Sequence, residues 1–253
     1  MSYGEAYGAD RSLYGKLRRK TARMINRRPL TQAPGRPLLS FSFDDAPLSA
    51  ATAGAAILEA RGLRGTFYVS AGLAGQDAPM GVCAGPEDYR RLAQAGHEIA
   101  CHTYSHLDCG RATGPAAQAD VDRNASALSA WGASDLESFA YPYGDVAPGP
   151  KAALSGRFST LRGLHHGIIE KGADLNQTPA VGIEGPDGPA AARRWLARAK
   201  ARDAWLILYT HDVADAPSPW GCTPDVFAAI IDEAIAGGFE IGTVGQVARQ
   251  LGL

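Results

Sequence analysis

Leu-Leu-Ser-Phe-Ser-Phe-Asp-Asp, at residues 38–45, predicts a buried β-strand over 38–43 that ends in two carboxylates. Working outward, further strand patterns occur at 66–69, 98–101, 138–141, 158–161, 181–183, 205–209 and 240–241. Helical patterns separate most of these strands. Strands that alternate with helices at this spacing pair in parallel through right-handed crossovers, which indicates either a barrel or a doubly wound sheet.

Reactive side chains follow four of the predicted strands. Asp44 and Asp45 follow the first strand, His102 follows the third, Tyr143 lies just beyond the fourth, and His211 follows the strand at 205–209. In a closed α/β barrel the carboxyl ends of the strands converge on one face, whereas an open sheet spreads them along an edge. We therefore predict a barrel with one reactive face.

The charge distribution divides the chain into two parts. A length of 253 residues is enough for one large core, and a net charge of −1 gives no overall attraction to nucleic acid. Between Arg11 and Phe43, however, there are nine basic residues and no acidic one, which leaves about −10 elsewhere. We expect a basic helix and linker over 1–37 and the barrel over 38–253. The helix, predicted at 12–25, either packs on the barrel with a solvated basic face or contacts an anionic membrane surface or an acidic partner.

No stretch approaches the roughly 20 apolar residues of a membrane-spanning helix, and the N-terminus has no apolar signal core. These patterns predict a cytoplasmic location. The four cysteines are expected to be thiols. Two of them, Cys101 and Cys109, flank His102 and His106, so a structural zinc site is an alternative. It is disfavoured because adjacent residues of a strand point to opposite faces.

The spacing of His102 and His106 permits one divalent ion to be shared if both lie on one helical turn. Two surface histidines are the default interpretation of this pair taken alone. A carboxylate from Asp44 or Asp45 would complete a set of two histidines and one carboxylate, and the second carboxylate could then accept a proton from an attacking water. The alternative for one of the aspartates is a helix cap.

His211 ends the apolar run at 206–210, where a nearby carboxylate could hold it protonated. The alternative is a histidine satisfied within the core. Taken together, a metal, a carboxylate base and a histidine acid predict hydrolysis of a carbonyl compound with protonation of the leaving amine.

Four segments in series resemble the motifs of the NodB-like polysaccharide deacetylases, carbohydrate esterase family 4. They are FSFDD at 41–45, HTYSH at 102–106, FAYPYG at 139–144 and LILYTHD at 206–212. The resemblance spans residues 38 to about 245 and implies a NodB homology domain, a deformed (β/α) barrel of about seven parallel strands.

The resemblance also implies roles for the motif residues. Asp44 would be the base and His211 the acid, while Asp45, His102 and His106 would bind one divalent ion. Zn²⁺ is the first expectation, and Co²⁺, Ni²⁺, Mn²⁺ or Fe²⁺ would suit the same ligands.

Substrate contacts are expected from four further residues. The backbone N–H of Tyr143, preceded by Pro142, would hold the oxyanion. Leu208 would line a small acetyl pocket. Trp220 would either stack on a sugar ring or act as an aromatic lid.

The sequence departs from the family pattern in two places. Ala140 stands where the third motif often has an arginine that pairs with the base, and we hypothesise that Arg162 reaches the same carboxylate from a neighbouring strand. The fourth motif is not recognisable. Asp174 is the nearest candidate for its aspartate.

The resemblance implies removal of acetyl groups from N-acetylhexosamine units of a polysaccharide. A cytoplasmic enzyme would suit a lipid-linked precursor in the assembly of an exported polysaccharide or adhesin such as a bacterial holdfast, with the basic arm at the inner membrane. The alternatives are hydrolysis of another C–N bond, in a cyclic imide or ureide, and a non-catalytic carbohydrate-binding relative. Oligomeric state stays open, and a homodimer is possible.

Overall fold

The computed structural model describes residues 12–253. Its strands are β1 (Leu38–Asp44), β2 (Thr66–Val69), β3 (Asp77–Ala78), β4 (Gly81–Val82), β5 (Glu98–Cys101), β6 (Ser138–Ala140), β7 (Thr160–Arg162), β8 (Val181–Gly182), β9 (Trp205–Thr210) and β10 (Glu240–Ile241). Its α-helices are α1 (Leu13–Met24), α2 (Ala55–Glu59), α3 (Pro86–Gln94), α4 (Gly114–Ala130), α5 (Pro148–Leu154), α6 (Gly188–Ala201), α7 (Pro224–Ala236) and α8 (Val244–Gln250).

The main sheet has the strand order β7-β6-β5-β2-β1-β9-β8, and its neighbouring strands are parallel. β10 pairs with the first residues of β1, while β2 pairs with the last residues of β1. β3 and β4 form a separate antiparallel pair. Parallel pairing follows from the helical crossovers between successive strands.

The two ends of the sheet approach each other through the segment that leads into β8. Thr178 forms a parallel bridge with Arg162 of β7, and a few residues later β8 pairs with β9. The sheet is therefore curled rather than flat. This confirms the predicted deformed barrel of about seven parallel strands.

The two faces of β1 have different surroundings. Its phenylalanines point to the helices: the Phe43 ring stacks on Phe67, and both Phe41 and Phe43 contact Phe227 of α7. The serines that alternate with them, Ser40 and Ser42, point into the barrel, where Ser40 accepts a hydrogen bond of 3.1 Å from the Trp205 indole. Small polar side chains leave room inside the narrow barrel for the larger groups of the opposite strands.

The helical segment between β1 and β2 is not a regular α-helix throughout. It starts with a π-helical turn, Ala50–Gly54, and continues as α2. A Cβ atom on Gly54 would lie 2.9 Å from the Phe43 ring. The glycine thus allows the backbone of this turn to lie directly against β1.

The basic N-terminal segment is joined to the barrel by buried polar contacts. Lys151 donates hydrogen bonds of 2.6 Å to the Ala22 carbonyl and to the Asp174 carboxylate. The other oxygen of Asp174 accepts from the backbone N–H of Arg28 at 3.0 Å. The helix predicted at 12–25 is present as α1, capped by the Ser12 hydroxyl. Residues 1–11 of the predicted N-terminal arm lie outside the described residues.

No helix within residues 12–253 combines the length and the apolar character needed to cross a bilayer.

Replacing Lys151 with Met is expected to lower the free energy of unfolding by about 3–5 kcal/mol, because the Asp174 carboxylate, 9% exposed, loses its buried cation. Urea denaturation followed by circular dichroism measures this change. The double variant Lys151→Met/Asp174→Asn removes both charges and should recover most of the loss. Equal stability of the single and double variants would contradict a dominant role for this ion pair.

Candidate active site

The strand ends bring the predicted reactive residues to one face of the barrel. Asp44 is the last residue of β1 and Asp45 follows it, while His102 follows β5 directly. The ligand atoms of Asp45, His102 and His106 all lie within 4.8 Å of one another. All three side chains are at most 9% exposed. This cluster is the one group of three or more potential ligands found in the described part of the chain.

The three side chains fit a single divalent ion. The Asp45 Oδ1 atom lies 3.2 Å from His106 Nε2 and 3.7 Å from His102 Nε2. Two ligands at about 2.0–2.1 Å from a tetrahedral zinc are separated by roughly 3.4 Å, so these distances match one shared ion. Two imidazoles and one carboxylate also leave coordination positions open for water and substrate.

Burial keeps both histidines in the form that binds a metal, and a hydrogen bond orients the ring of His102. His102 Nδ1 donates to the Ala140 carbonyl at 2.8 Å, which leaves Nε2 directed at Asp45. Burial lowers the pKa of His102 to about 4 and that of His106 to about 4. Both rings are therefore neutral at physiological pH, which is the form that binds a metal.

The histidine pair lies on an irregular turn, not on the helical turn that the spacing suggested. Thr103 and His106 have positive φ angles of 62° and 55°. The Asp120 carboxylate holds this turn, because its Oδ1 atom accepts from the backbone N–H groups of Tyr104 at 2.7 Å and Ser105 at 2.9 Å. Sequence reasoning missed Asp120, which lies within α4 and carries no local signal of this role.

Backbone strain is concentrated at the site. Seven non-glycine residues within 12–253 have positive φ, and five of them belong to the reactive turns. These five are Asp45, Ala46, Thr103, His106 and Tyr143. Such conformations cost about 1–3 kcal/mol each and persist where the surrounding structure enforces them. The ligand positions are thus set by the fold before any ion binds.

Asp44 forms a buried ion pair with Arg162. The Arg162 Nη2 atom lies 2.6 and 2.7 Å from the two oxygens of Asp44, and the arginine is fully buried. Burial alone would raise the pKa of Asp44, but the Arg162 cation, its hydrogen bond and the nearby His102 and His211 together outweigh burial and hold that pKa below its usual range. Asp44 is consequently ionised and hydrogen-bonded at neutral pH.

The contact that we hypothesised for Arg162 is present, and the strand register explains it. Ala140 of β6 and Arg162 of β7 are register partners, so the arginine lies beside the position where the motif would place it. Its guanidinium carbon lies 5.0 Å from the Tyr68 ring centre and 5.2 Å from that of Tyr209. Cation–π contacts with the two rings help to hold the Arg162 guanidinium beside Asp44.

His211 is paired with Glu184. Its Nδ1 atom lies 3.2 Å from Glu184 Oε2, and the other oxygen of Glu184 accepts from the Tyr209 hydroxyl at 3.0 Å. Burial would lower the pKa of His211, but the hydrogen bond to Glu184 and the charges of Asp44 and Asp45 raise it to about 9. His211 is therefore protonated at neutral pH.

The acidic partner of His211 is Glu184, and not the candidate Asp174. Asp174 instead accepts hydrogen bonds from Lys151 and from the backbone of Arg28, as part of the anchor of α1, so that candidate was wrong. Glu184 lies two residues after β8, and an acidic residue that follows a predicted strand was a usable signal.

The remaining predicted residues occupy different places. Trp220 is half-buried, and its carbonyl accepts from the His211 backbone at 3.0 Å. The buried Pro142 starts a 3₁₀ turn whose next residue, Tyr143, contacts the His106 ring with centres 4.5 Å apart. Leu208 is not brought to the site: it is the register partner of Phe41 and shares its helix-facing core.

The cysteines do not support the alternative of a structural zinc site. All four are buried, and none of them forms a disulfide. Cys101 and Cys109 lie together in an apolar cluster, and burial raises the pKa of the Cys101 thiol to about 11. Protonated thiols in apolar surroundings are poor ligands.

Comparisons with known proteins agree with this arrangement. Residues 31–154 match the family model described as Polysaccharide deacetylase. A bifunctional xylanase/deacetylase from Pseudobutyrivibrio xylanivorans is 27% identical over 113 residues, which are 45% of this chain. The match covers 18% of that relative, so the chain spans only a small part of its length.

Solved structures share the fold. The chitin deacetylase from Colletotrichum lindemuthianum has a TM-score of 0.63 at 20% identity, covering 87% of this chain and 91% of its own. A family 4 acetyl xylan esterase from Clostridium thermocellum, in complex with a cobalt ion, has a TM-score of 0.57 at 21% identity, with coverages of 85% and 92%. A CE4 family pseudoenzyme from Bacillus anthracis has a TM-score of 0.56 at 11% identity, with coverages of 85% and 66%.

Replacing Glu184 with Gln is expected to lower the pKa of His211 from about 9 toward the ordinary histidine value near 6.5, because the hydrogen-bonded anion is lost. An NMR titration of the histidine ring protons in chelator-treated protein measures this pKa. The control is Glu170→Gln, the same change at an exposed glutamate that pairs with Arg202. An unchanged His211 titration in Glu184→Gln would show that Glu184 does not set the pKa.

Proposed function

We propose that this chain, which carries a polysaccharide deacetylase domain over residues 31–154, is a metal-dependent N-deacetylase of N-acetylhexosamine units. The observation that carries the proposal is that the pKa values of two groups beside one set of potential metal ligands are shifted in opposite directions. Asp44 has a lowered pKa and His211 a raised one, so a base and an acid are both in their active forms at neutral pH.

Asp44 is proposed as the base. Its ionised carboxylate would accept a proton from the water that attacks the acetyl carbonyl carbon. A carboxylate with a lowered pKa is a weak base by itself. A divalent ion held by Asp45, His102 and His106 would polarise the carbonyl and lower the pKa of the attacking water, so that a weak base is sufficient.

His211 is proposed as the acid. Glu184 occupies its Nδ1 atom, so Nε2 would donate the proton. As the C–N bond breaks, that proton would go to the leaving nitrogen, and the products would be acetate and a free amine. An amine is a poor leaving group unless it is protonated, which explains the need for an acid with a pKa above neutrality.

Substrate binding is proposed for the groups around these residues. The backbone N–H of Tyr143, in the turn that Pro142 begins, would stabilise an oxyanion, a contribution of about 2.7–4 kcal/mol in other hydrolases. Trp220, tied to His211 through its carbonyl, is proposed to stack on a sugar ring. Chitin deacetylase among the similar structures supports an N-acetylated glycan as the substrate class.

For the biological role, we propose a cytoplasmic step on a lipid-linked glycan precursor in the assembly of an exported polysaccharide or adhesin, of which a holdfast is one example. This role rests on the resemblance and on the basic N-terminal segment. Zinc is the proposed ion, and the ligand set suits cobalt, nickel, manganese and iron as well.

Replacing Arg162 with Ala is expected to raise the pKa of Asp44, because burial then acts without the compensating cation. Since the base works only when ionised, the acidic limb of the pH–rate profile should move to higher pH, and the rate at neutral pH should fall roughly a hundredfold. Arg162→Lys keeps the charge and should restore part of the shift, and thermal melting checks folding. The exposed Arg198→Ala is the matched control. An unchanged profile would contradict the positioning role of Arg162.

Acetate release from N-acetylglucosamine oligomers tests the function itself. We expect release that a chelator removes and that added Zn²⁺ or Co²⁺ restores. Asp44→Asn and His211→Ala should each reduce the rate at least a hundredfold, since each removes a group that moves a proton.

Controls separate this function from its alternatives. Asp44→Asn should retain bound metal, measured by elemental analysis, whereas His106→Ala should lose it. Hydrolysis of a cyclic imide or ureide in place of acetate release would support the other C–N bond hydrolase. Oligomer binding without release of any acetate would support a non-catalytic relative.

A further inference from the structure

We infer that the outer face of α1 binds the surface of an anionic lipid bilayer and that this contact sets the mouth of the active site at that surface. The membrane contact itself is independent of the proposed function. Only its link to a lipid-linked substrate rests on that function.

The outer face of α1 carries an apolar stripe. Leu13, Leu17 and Met24 are spaced by four and seven residues, which places them on one side of a helix. They are 85%, 63% and 67% exposed, the highest values among the large apolar side chains of the described residues. Three such side chains on one side of a single helix form an apolar stripe, which differs from an isolated exposed residue.

The opposite face of α1 is fixed to the barrel. Ala22 is fully buried, its carbonyl accepts from Lys151, and the Arg18 side chain is 9% exposed. Arg18 and Ala22 are one turn apart, on the side away from the stripe. The helix therefore cannot rotate to bury Leu13 and Leu17 against its own domain without breaking these buried contacts.

Basic side chains border the stripe. Lys16, Lys20 and Arg23 are exposed on α1, and no acidic residue lies between Arg11 and Phe43. An apolar stripe flanked by lysine and arginine is the pattern of helices that lie in the interface of a bilayer. The charge selects anionic headgroups, and the apolar side chains enter the boundary between headgroups and acyl chains.

The inner face of α1 contacts loops that carry site residues. Arg18 Nη2 lies 2.5 Å from Asp145, which is two residues after Tyr143. The same arginine packs against Gly110, in the loop that follows His106, where an added Cβ atom would lie 2.9 Å from its guanidinium. α1 thus rests on two loops that continue directly from site residues. A membrane that holds α1 would hold these loops near the headgroups, where a lipid-linked glycan would be presented.

Vesicle sedimentation of the full chain tests the inference. The probes are vesicles of phosphatidylcholine alone and vesicles in which phosphatidylglycerol replaces part of it. We expect binding to the anionic vesicles that weakens with added salt. Lys16→Gln/Lys20→Gln should weaken it by roughly 25-fold, and Leu13→Ser/Leu17→Ser by at least tenfold.

Matched variants elsewhere on the surface should bind like the unmodified protein. Arg194→Gln/Lys200→Gln makes the same charge change on exposed residues of α6, and Ile235→Ser removes a 46% exposed apolar side chain from α7. Equal losses in the control and α1 variants, or absence of vesicle binding, would overturn the inference.

Self-association through the stripe is the competing explanation. Sedimentation velocity would then show an oligomer that Leu13→Ser/Leu17→Ser dissociates, and this result together with absent vesicle binding would also overturn the inference. Acetate release from soluble oligomers should be the same in all α1 variants. Vesicle binding by a protein that releases no acetate would leave the membrane contact standing and remove the proposed function.

Discussion

The rest of the site depends on the buried ion pair between Asp44 and Arg162. A charged carboxylate at the end of a fully buried strand would be strongly destabilising without a partner. Arg162 supplies that partner from β7, across the interior of the barrel, and it is itself stabilised between the rings of Tyr68 and Tyr209. The pair therefore requires β1, β7 and β9 to curve around a common interior. The curvature of the sheet and the ionisation of Asp44 thus depend on each other.

Tyr209 links the surroundings of Asp44 to those of His211. The Tyr209 ring lies against Arg162, and its hydroxyl donates to Glu184, which holds His211. One side chain of β9 thus contacts the groups that tune the acid and the base. Networks of this kind are more rigid than their separate contacts, since each hydrogen bond fixes the orientation of the next. The opposite shifts of the two pKa values arise from a single connected arrangement.

The sequence predicted the barrel and the cluster of Asp45, His102 and His106 because strand patterning is local and the carboxyl ends of parallel strands converge. It could not orient Leu208, because strands buried on both faces lose the alternation that distinguishes inside from outside. It could not find Asp120, whose contact with the histidine turn crosses from one element to another. Glu184 follows a predicted strand, as Asp44 does, so the same pattern predicts a reactive residue at that position.

Strained backbone at the ligands has a consequence for how proteins of this architecture change over time. Where Asp45 and His106 adopt left-handed conformations, glycine would relax the chain, so exchanges that abolish chemistry need not weaken the fold. Stability and activity are then opposed at the same positions. A protein of this architecture can therefore lose its ligand residues through substitution and still keep its barrel.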